Sequence, residues 1–80
     1  MHELGVLRYM VNTVRRTAEE NGIAQIRHIA LEVGESSTFV PAYLTRLFPV
    51  ATEGMALLQG AELRITVVSG TGLVIREIGY

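Results

Sequence analysis

Apolar residues recur at helical spacing through the first twenty positions, with arginines and glutamates between them. The apolar set is Leu4, Leu7, Val11, Val14 and Ala18. Asn21-Gly22 ends the pattern, because such a pair readily adopts the left-handed conformation in which many helices terminate. We therefore predict a first helix over residues 5–21 whose apolar stripe faces a core.

A strand and a second helix are predicted in the middle of the chain. The strand runs from Ile26 to Val33, and its broken alternation near Arg27-His28 indicates a β-bulge or a change of face there. The helix begins near Pro41, which suits a first turn because the missing N–H is not needed at that position. Pro49 should bend or break this helix, since proline removes a backbone hydrogen bond from the helix interior.

Two strands are predicted in the last third of the chain. Residues 63–67 alternate between apolar and polar side chains, which is the clearest strand pattern in the sequence. Ser69–Gly72 predicts a tight turn, and Leu73–Ile78 predicts a final strand that pairs with the preceding one as an antiparallel hairpin. The order α-β-α-β-β predicts an α+β two-layer sandwich, with two helices packed on one face of a three-stranded mixed sheet.

Length, composition and charge narrow the possible functions. The chain has 80 residues, 49% of them apolar, which predicts a single small domain over residues 1–80. It has no cysteine, so neither disulfides nor thiolate metal sites can form, and a reducing compartment, the cytoplasm, is expected. The net charge of −1 is unlike the basic surface of a nucleic-acid binder. The apolar runs are too short for a membrane span, and no secretion signal is recognisable.

The first three residues, Met1-His2-Glu3, form a possible metal chelate. The terminal amine, the amide nitrogen of His2 and its imidazole can close fused rings around one ion, and Glu3 adds a second backbone amide and a carboxylate. An all-nitrogen donor set that tends towards a plane suits Ni(II) or Cu(II) better than tetrahedral Zn(II). Any protein beginning Met-His shares this signal, so by itself it is weak.

No catalytic constellation is evident, and no enzyme is predicted. A nucleophile–base arrangement would have to use His28, which is more simply explained as a half-exposed residue of the sheet; a small enzyme or ligand-binding domain built on His28 is therefore a minor hypothesis. Gly70 and Gly72 link two strands and precede no helix, so they do not match a phosphate-binding loop.

Several segments together resemble the HypA family of nickel-insertion chaperones, which act in hydrogenase and urease maturation. They are Met1–Leu4, Leu31–Ser37, Pro41–Leu44, Thr52–Gly54 and Gly60–Leu63, in the family's order and over essentially the whole chain. The resemblance implies a nickel site formed by Met1, His2 and Glu3. It also implies delivery of nickel to a maturation GTPase and to a hydrogenase large-subunit precursor, or to a urease accessory protein.

The chain departs from the family pattern at several positions. Family members carry a zinc domain with two CxxC pairs between the positions of Val68 and Ser69, and here we expect that domain to be absent, replaced by the hairpin turn near residues 69–72, with no zinc bound. Val40 stands where some members have a carboxylate that assists nickel binding. The alternative to a nickel-binding chaperone is therefore a degenerate, metal-free interaction module of the same fold. Exposed outer strands predict a monomer or at most a weak homodimer.

Overall fold

The computed structural model describes residues 3–80. In chain order, the elements are helix α1 (Glu3–Glu20), strand β1 (His28–Gly34), helix α2 (Pro41–Ala51), a 3-10 turn (Ala56–Leu58), strand β2 (Glu62–Val68) and strand β3 (Leu73–Gly79). Two helices lie on one face of a three-stranded mixed sheet, which confirms the predicted fold class. In the described part of the chain, the short 3-10 turn is the one element additional to those predicted.

Helix α1 follows the predicted amphipathic pattern but begins two residues earlier. Its buried residues repeat every three or four positions, so one stripe of the helix faces the core. At the other end, Gly22 has a φ of 66°, a conformation that costs glycine little. The backbone N–H of Ile23 donates to the carbonyl of Ala18, so the chain leaves the helix in a closed turn.

Helix α2 begins at Pro41, as predicted, and is not broken at Pro49. Pro49 lies in its last turn, so the helix continues only to Ala51. Thr52 then closes the helix, because its backbone N–H and its hydroxyl both donate to the carbonyl of Phe48. A proline this close to the end of a helix removes a single hydrogen bond, which a capping side chain can offset.

The sheet has the strand order β2-β1-β3, and the predicted hairpin is wrong. Strand β1 is central: it pairs with β2 in parallel and with β3 antiparallel. Leu31 illustrates the register, since it lies opposite Ile65 on one side and Ile75 on the other. The segment at residues 69–72 therefore connects the two outer strands of the sheet instead of turning between adjacent ones.

The connection between β2 and β3 crosses the carboxyl end of β1 at Gly34. The N–H of Gly34 donates to the carbonyl of Gly72 at 2.7 Å, and the N–H of Ser36 donates to the carbonyl of Gly70 at 2.9 Å. A Cβ atom at Gly34 would overlap the Gly70 carbonyl, so glycine is what allows this close backbone approach. The crossing carries the chain to the free edge of β1, where β3 pairs, and this explains the failure of the hairpin prediction.

The irregularity in the sheet lies away from the predicted position at Arg27-His28. The register between β1 and β3 shifts between Ala30 and Leu31, which leaves Arg76 as the extra residue on β3. The side chain of Arg76 then lies 3.7 Å from a carboxylate oxygen of Glu32 on β1. The bulge thus belongs to the outer strand, where an extra residue disturbs only one ladder.

The core lies between the helices and the sheet. Alternate residues of β1 point into it, and the two helices, the connection before β1 and the 3-10 turn supply further residues. The buried apolar residues are Leu7, Met10, Val11, Val14, Ala18, Ile26, Ile29, Leu31, Val33, Leu44, Phe48 and Leu58. Within residues 3–80, no helix lies on the opposite face of the sheet, which presents mainly charged and polar side chains. We call this second surface the open sheet face and define it by His28, Glu32, Glu62, Arg64, Thr66, Val74, Arg76 and Glu77.

Candidate metal centre

Of the three predicted nickel ligands, the structure describes Glu3. Met1 and His2 lie outside the described residues. Glu3 is the first residue of α1 and is only 7% exposed. A carboxylate in the first turn of a helix interacts favourably with the positive end of the helix dipole. Glu3, the last of the three predicted ligands, is therefore held in a regular helix and is largely buried.

The two helices run in the same direction. Near the end of α2, Val50 lines a cleft together with Arg8 of α1. Beyond α2, Leu57 lines a second cleft with Arg15 and Glu19, which are further along α1. The last turns of α1 lie beside Ile26 and Ile78, at the amino end of β1. It follows that both helices begin at the carboxyl end of β1.

Val40 lies at this same end of the molecule, immediately before α2. Its backbone is extended, with φ −103° and ψ 114°, and it makes no side-chain capping bond to the helix. The aliphatic side chain is 41% exposed. The structure thus places Glu3 and Val40 at the starts of two parallel helices, and only Glu3 brings a carboxylate.

The second histidine of the chain lies at the opposite end of β1 from Gly34. His28 Nε2 is 2.8 Å from Glu77 Oε2 on β3, and the histidine side chain is mostly buried. The ring occupies the space beside Gly79, where a Cβ atom would collide with it. His28 is therefore a sheet residue, as its simpler explanation predicted, but it is mostly buried instead of half exposed and has Glu77 as a carboxylate partner. It lies at the other end of β1 from the end where the helices start.

Charge pairing on the open sheet face involves both outer strands. Arg64 binds the carboxylate of Glu62 on the same face of β2. This hydrogen bond, and the positive charge behind it, lower the pKa of Glu62 below its usual value despite a small opposing effect of desolvation. Arg76 lies near Glu32 as described above, so both arginines of this face have an acidic neighbour.

Neither an alternative metal cluster nor a membrane helix is present in the described part of the chain. Among residues 3–80, no three histidine, cysteine, aspartate or glutamate side chains converge as metal ligands would. Over the same residues, no helix combines the length and the apolar character that a membrane crossing requires.

Comparison with known proteins identifies the family. A family model described as hydrogenase/urease nickel incorporation, metallochaperone, HypA matches residues 1–74. The chain belongs to the HypA family. This confirms the resemblance drawn from the sequence, and the family is one of metallochaperones and not of enzymes.

Individual HypA relatives agree in sequence and in fold. The chain is 38% identical over 72 residues to hydrogenase maturation factor HypA of Trichodesmium erythraeum, covering 90% of this chain and 60% of the relative. It is 37% identical over 65 residues to hydrogenase maturation factor HypA of Methanocella arvoryzae, covering 81% of this chain and 57% of the relative. The chain thus spans somewhat under two thirds of the length of these relatives.

A solved structure shows the same fold. The solution structure of the nickel metallochaperone HypA from Helicobacter pylori matches with a TM-score of 0.78, covering 96% of this chain and 72% of that one. At 18% sequence identity, this likeness establishes the shared architecture of helices and mixed sheet.

Sequence reasoning missed one surface feature. Tyr43 and Val50 are apolar residues of α2, as is the buried Leu44, yet both are about half exposed. The available signal was their position on a stripe next to the one that carries Leu44 and Phe48. Spacing alone cannot show which of two adjacent apolar stripes a neighbouring element covers.

Proposed function

We propose that this chain binds one Ni(II) ion at its amino terminus and passes it to partner proteins of hydrogenase or urease maturation, in the cytoplasm. The donors would be the terminal amine of Met1, the amide nitrogen and imidazole of His2, and the backbone amide or carboxylate of Glu3. The observation that carries the proposal is the match to a nickel-incorporation family over residues 1–74, a range that includes this segment.

The position of Glu3 supports the proposal. A chelate made of consecutive residues needs no folded pocket, so the fold has only to present it. Because Glu3 is fixed in the first turn of α1, the preceding residues are attached to a rigid element at the end where both helices begin. A ligand set with few donors and no carboxylate at Val40 should release nickel readily. We expect a micromolar dissociation constant, about 8 kcal/mol of binding free energy.

The proposed recipients are a nickel-handling maturation GTPase and a hydrogenase large-subunit precursor, or a urease accessory protein. Zinc has no structural part in this proposal, because the sequence contains no cysteine and two histidines cannot complete a closed zinc site. A thermal melt with and without a strong chelator should therefore give the same midpoint. A fall of several degrees on chelation would reveal a structural metal.

The terminal site is tested by calorimetric nickel titration of the chain with a free terminal amine and of the same chain with that amine acetylated. Acetylation removes the amine as a nitrogen donor, so nickel affinity should fall by about tenfold or more. Binding by the native terminus should also weaken below about pH 6, because the imidazole and the amine must lose protons to bind.

Equal affinity in the free and acetylated chains would contradict the terminal site. If the native chain binds no nickel yet still binds a maturation partner, the metal-free interaction module becomes the better description.

A further inference from the structure

Helix α2 carries an exposed apolar stripe beside its buried one. Leu44 and Phe48 face the core, whereas Tyr43 is 45% exposed and Val50 is 49% exposed. Tyr43 and Val50 are seven residues apart, so they lie on the same side of the helix, two turns from each other. This stripe is separate from the packing surface of α2 and has no covering element among residues 3–80.

The stripe borders helix α1. Val50 lines a cleft of about 310 Å³ together with Arg8, Asn12 and Glu53, with Val11 and Met55 at the same site. Arg46 belongs to the Tyr43 stripe, and its guanidinium carbon lies 6.0 Å from the centre of the Tyr43 ring. We define the helix-layer patch as Arg8, Tyr43, Arg46 and Val50. It combines exposed apolar surface with two cations.

The cations of the patch differ from those of the open sheet face. Within residues 3–80, neither Arg8 nor Arg46 lies in an ion pair, whereas Arg15, Arg64 and Arg76 each have a glutamate within 4 Å. Glu53 lines the cleft with Arg8 but is not bonded to it. Two cations that lack an acidic partner, beside exposed tyrosine and valine, are complementary to a surface that is both apolar and acidic.

We propose that the helix-layer patch docks an amphipathic helix of a partner protein. That helix presents apolar side chains to Tyr43 and Val50 and a carboxylate to Arg8 or Arg46. The two-turn separation of Tyr43 and Val50 matches the spacing of anchors on a helix that lies in a groove. The inference rests on the proposed function, because a partner docked along α1 and α2 lies beside the end where nickel would be bound.

The experiment measures binding of the purified maturation GTPase, and separately of the hydrogenase large-subunit precursor, to the full chain and its variants. Val50→Ser is paired with Val74→Ser, which removes the same atoms from an equally exposed valine on the open sheet face. Arg8→Glu and Arg46→Glu are paired with Arg27→Glu, an exposed arginine with no ion pair in the described part of the chain. We expect the patch variants to weaken binding at least about fivefold and the controls less than about twofold.

A second measurement identifies the protein segment that binds the helix-layer patch. A photoreactive benzophenone residue at position 43 should crosslink to a helical segment of the partner in which acidic residues flank apolar ones. The same residue at the exposed position 80 serves as the control and should not crosslink to that segment. Crosslinking of position 43 to a second copy of this chain, or to a segment without acidic residues, would overturn the proposal.

The proposal also fails if neither partner binds the unaltered chain, or if patch and control variants bind alike. Nickel titration of the same variants separates this failure from that of the proposed function. Arg8→Glu, Arg46→Glu and Val50→Ser should bind nickel as the unaltered chain does, since none of them supplies a proposed donor. Loss of partner binding with intact nickel binding is the expected result.

Discussion

The two faces of the sheet differ: one packs against the helices and the other is open and charged. Neighbouring residues of β1 show this difference. Leu31 is fully buried against the helices, whereas Glu32, the next residue, lies on the open sheet face near Arg76. The covered face holds the apolar core, and the open face holds charges that pair with one another. Stability should therefore depend on the first face and change little when the second is altered.

The same contrast extends to recognition. Arginines of the open sheet face have their own glutamates, so an acidic partner would have to break existing pairs there. Arg8 and Arg46 on the helix layer have no such partner among residues 3–80. This difference is why we place docking on the helices, near the starts of which nickel is proposed to bind.

The largest expected difference is between Leu31→Ala and Glu32→Ala. Removing a fully buried leucine should lower the free energy of unfolding by about 2–5 kcal/mol, because it loses apolar burial and leaves a cavity. Removing Glu32 breaks only a partly exposed ion pair, which is worth about 0–1 kcal/mol. Urea denaturation of both variants measures the two values. Equal losses of unfolding free energy in the two variants would contradict the view that stability depends mainly on the covered face.

A smaller loss is expected where the β2–β3 connection crosses β1. Gly34→Ala places a Cβ atom against the backbone of Gly70, so the loop must move, and we expect a cost of about 1–3 kcal/mol. Gly72→Ala is the matched control, because no atom lies within 4 Å of its Cβ position and its φ is not positive. If both variants unfold at the same urea concentration, the close approach at Gly34 does not constrain the loop.

The elements of this fold could be predicted from sequence more fully than their arrangement. Periodicity located both helices and all three strands because burial of one side leaves a repeating pattern. The pairing of β3 was predicted wrongly, since Ser69–Gly72 suits a hairpin as well as a crossing, and the deciding contact is with Gly34, distant in sequence. The order α-β-α-β-β leaves both arrangements open.

The candidate metal site could be predicted from the sequence without knowledge of the fold. Met1, His2 and Glu3 are consecutive, so their chemistry is visible without a fold, although Met1 and His2 lie outside the described residues and their role stays a prediction. The helix-layer patch could not be predicted, because exposure of Tyr43 and Val50 depends on where α1 lies. The ion pairs of the open sheet face likewise require the strand order.

The smallest expected effect concerns a single pair on the open sheet face. Arg64→Gln removes the hydrogen bond and charge that lower the pKa of Glu62, so that pKa should rise towards its ordinary range. A lowered folded-state pKa means that the pair contributes stability at neutral pH, which is lost as the pH falls through that pKa. Since the side chain of Glu62 is largely exposed, the change should be visible by NMR titration of its carboxyl carbon and not in denaturation at neutral pH. An unchanged pKa of Glu62 in Arg64→Gln would contradict the pairing of these two side chains.

The most direct test of the account compares the two histidines in one nickel titration. His2→Ala removes a proposed donor, whereas His28→Ala removes a ring that already has Glu77 as its partner at the other end of β1. We predict that His2→Ala lowers nickel affinity by about tenfold or more, while His28→Ala leaves it unchanged. Unchanged affinity in His2→Ala, or a loss confined to His28→Ala, would contradict the terminal nickel site.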